Sequence, residues 1–418
     1  MKKSWVVAVD MGYGHQRAAY PLRHLAFGGE VINTNNYQGM PKKDKELWQK
    51  MTAGFEFISR FKKVPLIGKA FFSFFDHIQR ILAFYPRRDL SRPNIQLKQI
   101  LCPVKKGLGR HLIKKLSENP LPFIGTFFTA VYMAEEFNYP GDIYSVICDT
   151  DISRTWAPLN PQKSKIKYLA PTSRSAERLQ LYGVKKKNIF LTGFPLPLEN
   201  IGGEDMGILK DDLRYRFLNL DAKGKYFKKY KILIEGKLGK LPKKSNHVLT
   251  IMFAVGGAGA QKEIGVSIVN NLAKKIKARE VKVVLVAGIR EEVKEYFDKK
   301  TKDLPVEIIF DKDINNYFQK FNKTLRKTDI LWTKPSELSF YSALGLPIII
   351  APTIGSQEKF NKRWLLNSGF GFLQKNPVFI NQWLFDWLEK GYLAEAAMQG
   401  FIEGNQSGTF NIEKICCG

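Results

Sequence analysis

Short apolar runs bounded by glycine, proline and polar residues recur along the chain, and stretches with helical spacing separate most of them. In the first half, the runs at 4–10, 30–33, 123–127, 143–148, 168–171 and 189–192 read as strands. The second half is cleaner, with runs at 248–255, 282–287, 307–310, 330–333 and 347–351, each set apart by a helix-length segment. A helical pattern follows the first strand from His15, and Pro21 inside it should kink the helix or delay its start. Strands alternating with helices predict βαβ units and mostly parallel sheets covered on both faces. Two such blocks predict two doubly wound α/β domains. No internal repeat of short period accompanies them.

Residues 196–246 break the alternation. The stretch 223–244 carries nine lysines and one glutamate, with Gly224, Gly236 and Gly239 scattered through it. It reads either as a solvated insert between domains or as a contact for a polyanion. After Gly371 the pattern turns helical to the end, and Trp383, Leu384, Trp387 and Leu388 share one face that should pack as core.

Composition narrows the class. The chain has 418 residues, of which 44% are hydrophobic and 13% aromatic, enough to exclude global disorder. At roughly 150 residues per domain, the length suits two domains. No apolar run approaches the roughly 20 residues that span a bilayer. The start has only five apolar residues before Asp10, too few for a signal-peptide core, so a cytoplasmic chain is expected. Cys102, Cys148, Cys416 and Cys417 show neither metal spacing nor a disulfide framework, and a reducing compartment fits them. Lys and Arg number 66 against 39 Asp and Glu, a formal charge of +27. Such a balance implies polyanions nearby: nucleic acid, an anionic membrane or phosphorylated substrates. No RNP, zinc-finger or helix-turn-helix signature is present, and no nucleic-acid partner is expected.

Two turns suggest chemistry. D10-M-G-Y-G-H15 joins a strand to a helix, where glycines admit a ligand close to the backbone and helix amides attract an anion. His15 then stands at the mouth of a sheet, and its ordinary pKa suits general-base work; a capping turn with an incidental histidine fits the spacing equally. G256-G-A-G-A-Q261 follows the strand LTIMFAV in a phosphate-binding arrangement, though it is neither a dinucleotide fingerprint nor a Walker A loop. D149-T-D151 has the form of a metal-diphosphate D-x-D, a pattern common by chance. No metal is expected there, and Asp149 supports His15 or the acceptor from a strand end, or caps a turn. His24, His77, His111 and His247 have no partners at ligand spacing.

A third pattern is more specific: T333-K-P-S-E-L-S-F-Y-S-A-L-G-L-P347, an apolar run, S356-Q-E-K-F-N361 and N367-S-G-F-G371. Here the chain resembles the GT-B glycosyltransferases that include monogalactosyldiacylglycerol synthase and the peptidoglycan lipid-intermediate GlcNAc transferase. The matching residues are Thr333, Lys334, Ala343, Leu344, Gly345, Leu346, Pro347, Gln357, Glu358, Asn361, Gly369 and Gly371. Gly12-Tyr13-Gly14-His15 resembles the family's Gly-Gly-Gly-His turn. D149-T-D-I-S-R-T-W156, a strand, the segment 173–181 and T192-G-F-P-L196 resemble its T-D…H-P-T-W and G-x-P segments. The likeness spans about 1–35, 120–200 and 248–375. Two departures stand out: Ser342 occupies the place of the glutamate that grips the donor ribose, and Ser336-Glu337 replaces a small Gly-Pro pair.

The resemblance implies a GT-B fold, two doubly wound Rossmann-like domains facing a central cleft. The expected boundaries are 1–200 for an acceptor-side domain, 201–247 for a basic insert, 248–375 for a nucleotide-sugar donor domain and 376–418 for terminal helices. It implies transfer of a sugar, from a UDP-sugar above all, to a lipid or lipid-linked acceptor. His15 would be the base, with Asp149 beside it and Gly12 and Gly14 shaping the acceptor-side loop. Gly256, Gly257, Gly259, Lys334, Ser336, Glu337, Ser342, Gln357, Glu358 and Asn361 would hold the donor, with Lys262 as a further cation. The nucleotide-sugar is a substrate, and no cofactor is expected. Alternatives are a nucleotide-sugar epimerase on the same fold, or a catalytically lapsed GT-B protein that binds an anionic ligand or partner. Finally, 54–92 combines dense Phe, Ile and Leu with Arg60, Lys62, Lys63, Lys69, Arg80, Arg87, Arg88 and Arg92. It reads either as a dock for an anionic membrane, placing the protein peripherally on the inner face of the plasma membrane, or as two amphipathic helices capping the first sheet.

Overall fold

The structure is a computed structural model that describes residues 2–61, 81–257, 259–353 and 355–418. The chain divides into two compact units. Unit 1 comprises Met1–Pro195, Ile354–Phe360 and Ser407–Gly418, and unit 2 comprises Leu196–Thr353 and Asn361–Gln406.

Unit 1 holds β1 (Trp5–Ala8), β2 (Ile32–Asn33), β3 (Phe123–Gly125), β4 (Ile143–Val146), β5 (Lys167–Ala170) and β6 (Ile189–Leu191). They form one parallel sheet in the order β2-β1-β3-β4-β5-β6. Every run read as a strand in the first half forms one, most of them shorter by one to three residues and β5 shifted back by one. The helix Tyr13–Ala19 passes into a 3-10 turn, Tyr20–Leu25, with Pro21 at its start, because proline cannot donate to a continuing helix. Helices such as Phe128–Glu136 and Ser173–Leu181 cover the sheet, and Phe123, Trp156 and Tyr168 are buried in its core. The final helix, Gly408–Cys417, also belongs here: the Asn411 amide donates to the Thr192 carbonyl (2.8 Å), and the Tyr144 hydroxyl to that of Ile415 (3.3 Å).

Unit 2 holds β7 (Leu249–Ala254), β8 (Val281–Gly288), β9 (Glu307–Phe310), β10 (Ile330–Thr333), β11 (Ile348–Ile350) and β12 (Gly371–Leu373). All are parallel, in the order β12-β11-β10-β7-β8-β9. The β-branched runs of β8 and β11 are almost wholly buried, as strands covered on both faces must be. The strand β12 lies where helical spacing was expected to begin; three residues are too few to show a period. The β7 and β10 starts are tied by the buried Asp329 carboxylate, which accepts from the Thr250 amide (2.7 Å), the Asn219 side chain (2.9 Å) and His247 Nε2 (3.0 Å).

Residues 201–247 hold two helices of unit 2, Gly207–Leu220 and Lys225–Leu238. The first buries Leu209, Leu213, Phe217 and Leu220, a stripe at helical spacing, and the second buries only Ile234 and Leu238. Lysine content had masked this stripe. Trp383, Leu384, Trp387 and Leu388 are buried together, with the Trp383 ring 5.5 Å from that of Trp332. Among the described residues no helix is long and apolar enough to cross a membrane.

Candidate functional site

In an open parallel sheet, a crevice forms where consecutive connections leave a strand toward opposite sides, just beyond the strands' carboxyl ends. In unit 1 this switch falls between β1 and β3, and in unit 2 between β7 and β10. Both turns singled out in the sequence sit at these two points.

In unit 1, β1 ends into a loop whose Asp10 backbone is clamped by the Asn35 side chain. Asn35 accepts from the Asp10 amide (2.9 Å) and donates to its carbonyl (3.0 Å). Gly12 follows at φ 98° and ψ 173°, a conformation closed to residues with a Cβ, and the helix begins at Tyr13. His15 is thereby placed over the end of β3. Its Nδ1 lies 2.6 Å from the Thr126 carbonyl, and the Thr126 hydroxyl donates to the His15 carbonyl (2.8 Å). A carbonyl only accepts, so Nδ1 carries the proton, and in the neutral imidazole the lone pair falls on Nε2. The Phe127 and Trp156 rings, 4.7 and 6.4 Å away, fix the imidazole plane. Gly14 lies within the first turn of the helix.

Asp149 sits one residue past Cys148, whose thiol points at the same Thr126 carbonyl (3.4 Å), so it is on the strand end adjoining His15. Asp151 has a different task. Its carboxylate takes two hydrogen bonds from the fully buried Arg178, at 2.8 and 2.7 Å. Burial pulls the Arg178 pKa down, but the bond and charge of Asp151 outweigh it and the net shift is upward. The D-x-D pattern is thus part of an ion pair that holds the loop. Arg154 is spent likewise on the Ser91 and Pro158 carbonyls (2.7 and 3.0 Å), and its burial lowers its pKa. No cluster of side chains that could hold a metal occurs among the described residues.

In unit 2, β7 runs directly into the glycine turn. The Lys334 side chain, rooted just after β10, lies across Gly256: a Cβ built there would stand 2.3 Å from Lys334 Cε. Gly259 turns at φ +66°, and its amide donates to the Gly256 carbonyl (2.8 Å). Arg290, after β8, donates through Nε to the Gly257 carbonyl (2.8 Å). Gln261 donates to the Pro352 carbonyl (2.8 Å) and starts the helix Lys262–Asn271. The turn is thus a close-packed backbone arc beside two cations, with a helix N-terminus behind it, the arrangement that suits an anion. Lys262 instead lies over the Tyr296 ring, 4.4 Å from its centre.

The remaining donor-site candidates are dispersed. Ser336 precedes a 3-10 helix, Glu337–Leu344, and Glu337 is partly exposed in its first turn. Ser342 is fully buried; its hydroxyl donates to the Ser339 carbonyl (2.9 Å), and its backbone abuts Gly400. Asn361 is buried and donates to the Pro335 carbonyl (3.4 Å), supporting the loop that carries Lys334. Gln357 and Glu358 group with unit 1 rather than with the glycine turn.

Residues 240–320 match a family described as Domain of unknown function (DUF6938). No curated protein matches the chain. Among solved structures, one similar to it is a putative UDP-N-acetylglucosamine 2-epimerase from Listeria monocytogenes, with 16% identity over 76% of this chain and 78% of that one and a TM-score of 0.45. Another is MurG of Acinetobacter baumannii, at 12% identity, 77% and 79% coverage and a TM-score of 0.42. The spinosyn rhamnosyltransferase SpnG is similar at 12% identity over 99% of this chain and 100% of that one, with a TM-score of 0.45. The α/β architecture described above rests on strand order and register within each unit.

Several residues at the two switch points carried no signal of their own. Thr126 and Arg290 each stand just past a strand end beside a turn already singled out, and strand order alone identifies them as neighbours of it. The other described histidines are paired by the fold: His24 with Glu413 (3.0 Å), His247 with Asp329 (3.0 Å) and His111 with the Tyr37 hydroxyl (3.1 Å). Of the 54–92 segment, 62–80, with His77, lie outside the described residues. At its end Ile81 and Phe84 are buried, and the Arg174 guanidinium stacks 3.7 Å from the Phe84 ring. These two apolar residues therefore serve the core of unit 1.

Proposed function

We propose that the chain binds a nucleoside-diphosphate sugar in unit 2 and transfers the sugar to an acceptor hydroxyl. The observation that carries this reading is the Lys334 side chain lying over Gly256 at the switch point. Gly257 and Gly259 complete the arc, and Arg290 adds a second cation beside it. Turn amides and Lys334 would take up the charge that develops on the leaving diphosphate, and Glu337 is the nearby carboxylate for a ribose diol. His15, with its lone pair on Nε2, would remove the acceptor proton, while Thr126 holds the ring and Asp149 adjoins it. No covalent intermediate or cofactor is needed. A lipid-linked acceptor suits the +27 charge, which favours an anionic surface as the place of work.

A second reading, binding without transfer, draws on Ser342: the position expected to grip the ribose is buried and spent on Ser339. Thermal unfolding with UDP, GDP and dTDP tests the shared premise. At a hundredfold excess over Kd, a bound nucleotide should raise Tm by roughly 5–10 °C. Unmoved melting with all three would remove both readings. A stabilising nucleotide with no sugar transfer to any hydroxyl acceptor would favour the second.

A further inference from the structure

The helix Lys225–Leu238 buries one narrow stripe, Ile234 and Leu238, and turns the rest of its surface outward. All nine lysines of 223–244 are exposed, while Glu235 is half-buried. The helix is kinked at Tyr230 (φ −121°, ψ 26°): Lys225, Lys228 and Lys229 lie at three- and four-residue steps before the kink, and Ile232 and Leu233 lie just after it. Ile232 is 91% exposed and its neighbour Leu233 41%. Ile232 lies two residues from Ile234, which puts it on the opposite side of the helix from the stripe that anchors it.

The helix is held from below. The buried Asp221 carboxylate accepts from the Tyr226 and Phe227 amides (3.2 and 2.7 Å), and the Arg214 guanidinium caps the Leu238 carbonyl at the far end. The Tyr226 and Tyr230 rings meet in a tilted contact with their centres 4.7 Å apart, and Lys229 lies over Tyr230 with Glu395 beside them. Lys225, Lys228, Lys231 and Ile232 take no part in these contacts.

We propose that this helix face docks on an anionic phospholipid surface. Lysines surrounding an outward isoleucine and leucine fit the boundary of a bilayer, where cations meet phosphate headgroups and the apolar side chains enter between them. A nucleic acid would satisfy the lysines but gain nothing from Ile232 or Leu233, and the two tyrosines that could stack on bases are engaged with each other. The inference does not rest on nucleotide binding or sugar transfer.

The test uses the full chain and vesicles of phosphatidylglycerol with phosphatidylcholine, or of phosphatidylcholine alone, sedimented at low and high salt. Wild type should sediment only with the anionic vesicles and should be released by salt. The K225Q/K228Q/K231Q variant should partition roughly 100-fold more weakly, each cation being worth about a factor of five. Ile232→Glu should weaken it roughly tenfold or more through lost apolar burial. Both variants change exposed side chains, and their melting temperatures should match wild type. Wild-type sedimentation by the triple variant would overturn the proposal. An unaffected Ile232→Glu would overturn it in favour of a general polyanion surface, and a triple variant that loses binding to a duplex oligonucleotide while keeping vesicles would overturn it in favour of a nucleic-acid surface.

Discussion

The two switch points are built from the same kind of sheet and finished in different ways. In unit 1 the region past the strand ends is fastened by side chains. Asn35 clamps Asp10, Thr126 holds His15, and the Asp151–Arg178 pair secures the loop after β4. In unit 2 the buried carboxylate, Asp329, sits at the start of β7 and β10, far along the strands from the glycine turn. The turn itself is held by backbone geometry and flanked by Lys334 and Arg290. Orientation of one imidazole demands a rigid, side-chain-defined seat, whereas an anion cradle demands backbone donors and nearby cations. Unit 1 shows the first, the second is what we propose for the glycine turn of unit 2, and substitutions should separate them.

The largest effect is expected at His15. In an active transferase, His15→Ala should lower turnover by about 10²–10⁴-fold, the usual contribution of a positioned base. Nucleotide affinity should change little, because His15 belongs to unit 1. Near-normal turnover would remove it from the mechanism. Next comes Asp151→Ala, which strands the Arg178 guanidinium in the core. Urea unfolding should register a loss of about 3–5 kcal/mol, and stability within about 1 kcal/mol of wild type would show that the pair does not hold the loop.

Lys334→Ala should be quieter in stability and louder in binding. A charge-assisted contact worth about 1.5–3 kcal/mol predicts a nucleotide Kd raised by roughly 10- to 100-fold. An unchanged Kd would take the lysine out of the cradle. Smallest of all is Ser342→Ala, expected to cost about 1 kcal/mol of stability for one local hydrogen bond and to leave nucleotide affinity alone. A marked fall in affinity would return Ser342 to the ribose.

Much of the α/β framework was visible in the chain. Runs such as 330–333 and 307–310 coincide with their strands because β-branched and aromatic residues there meet abrupt polar ends. The strand β12 escaped because its three residues carry no period. The helices in 201–247 escaped because lysines outnumber the apolar stripe that places Leu213 and Phe217 in the core. At the sites, glycine turns and His15 could be found by pattern, since their conformations demand particular residues. The tautomer of His15 could not, because it depends on the carbonyl of Thr126, a residue 111 positions away whose side chain has little part in it. Ser342 shows the opposite failure: its place in a motif suggested ligand contact, and its burial is set by the helix Tyr392–Glu403 packing on it.

The central claim is that the backbone arc at Gly256, with Lys334 across it, holds a nucleoside diphosphate. Calorimetric titration of UDP, GDP and dTDP into wild type and Gly256→Ala tests it most directly. Gly256 does not have a positive φ, so alanine brings no backbone strain and its methyl group acts only by pushing Lys334 aside. The expected result is tight binding of at least one nucleotide by wild type, an affinity weakened roughly tenfold or more in the variant, and matching melting temperatures without ligand. Equal affinities in the two proteins, or no binding by wild type, would contradict it.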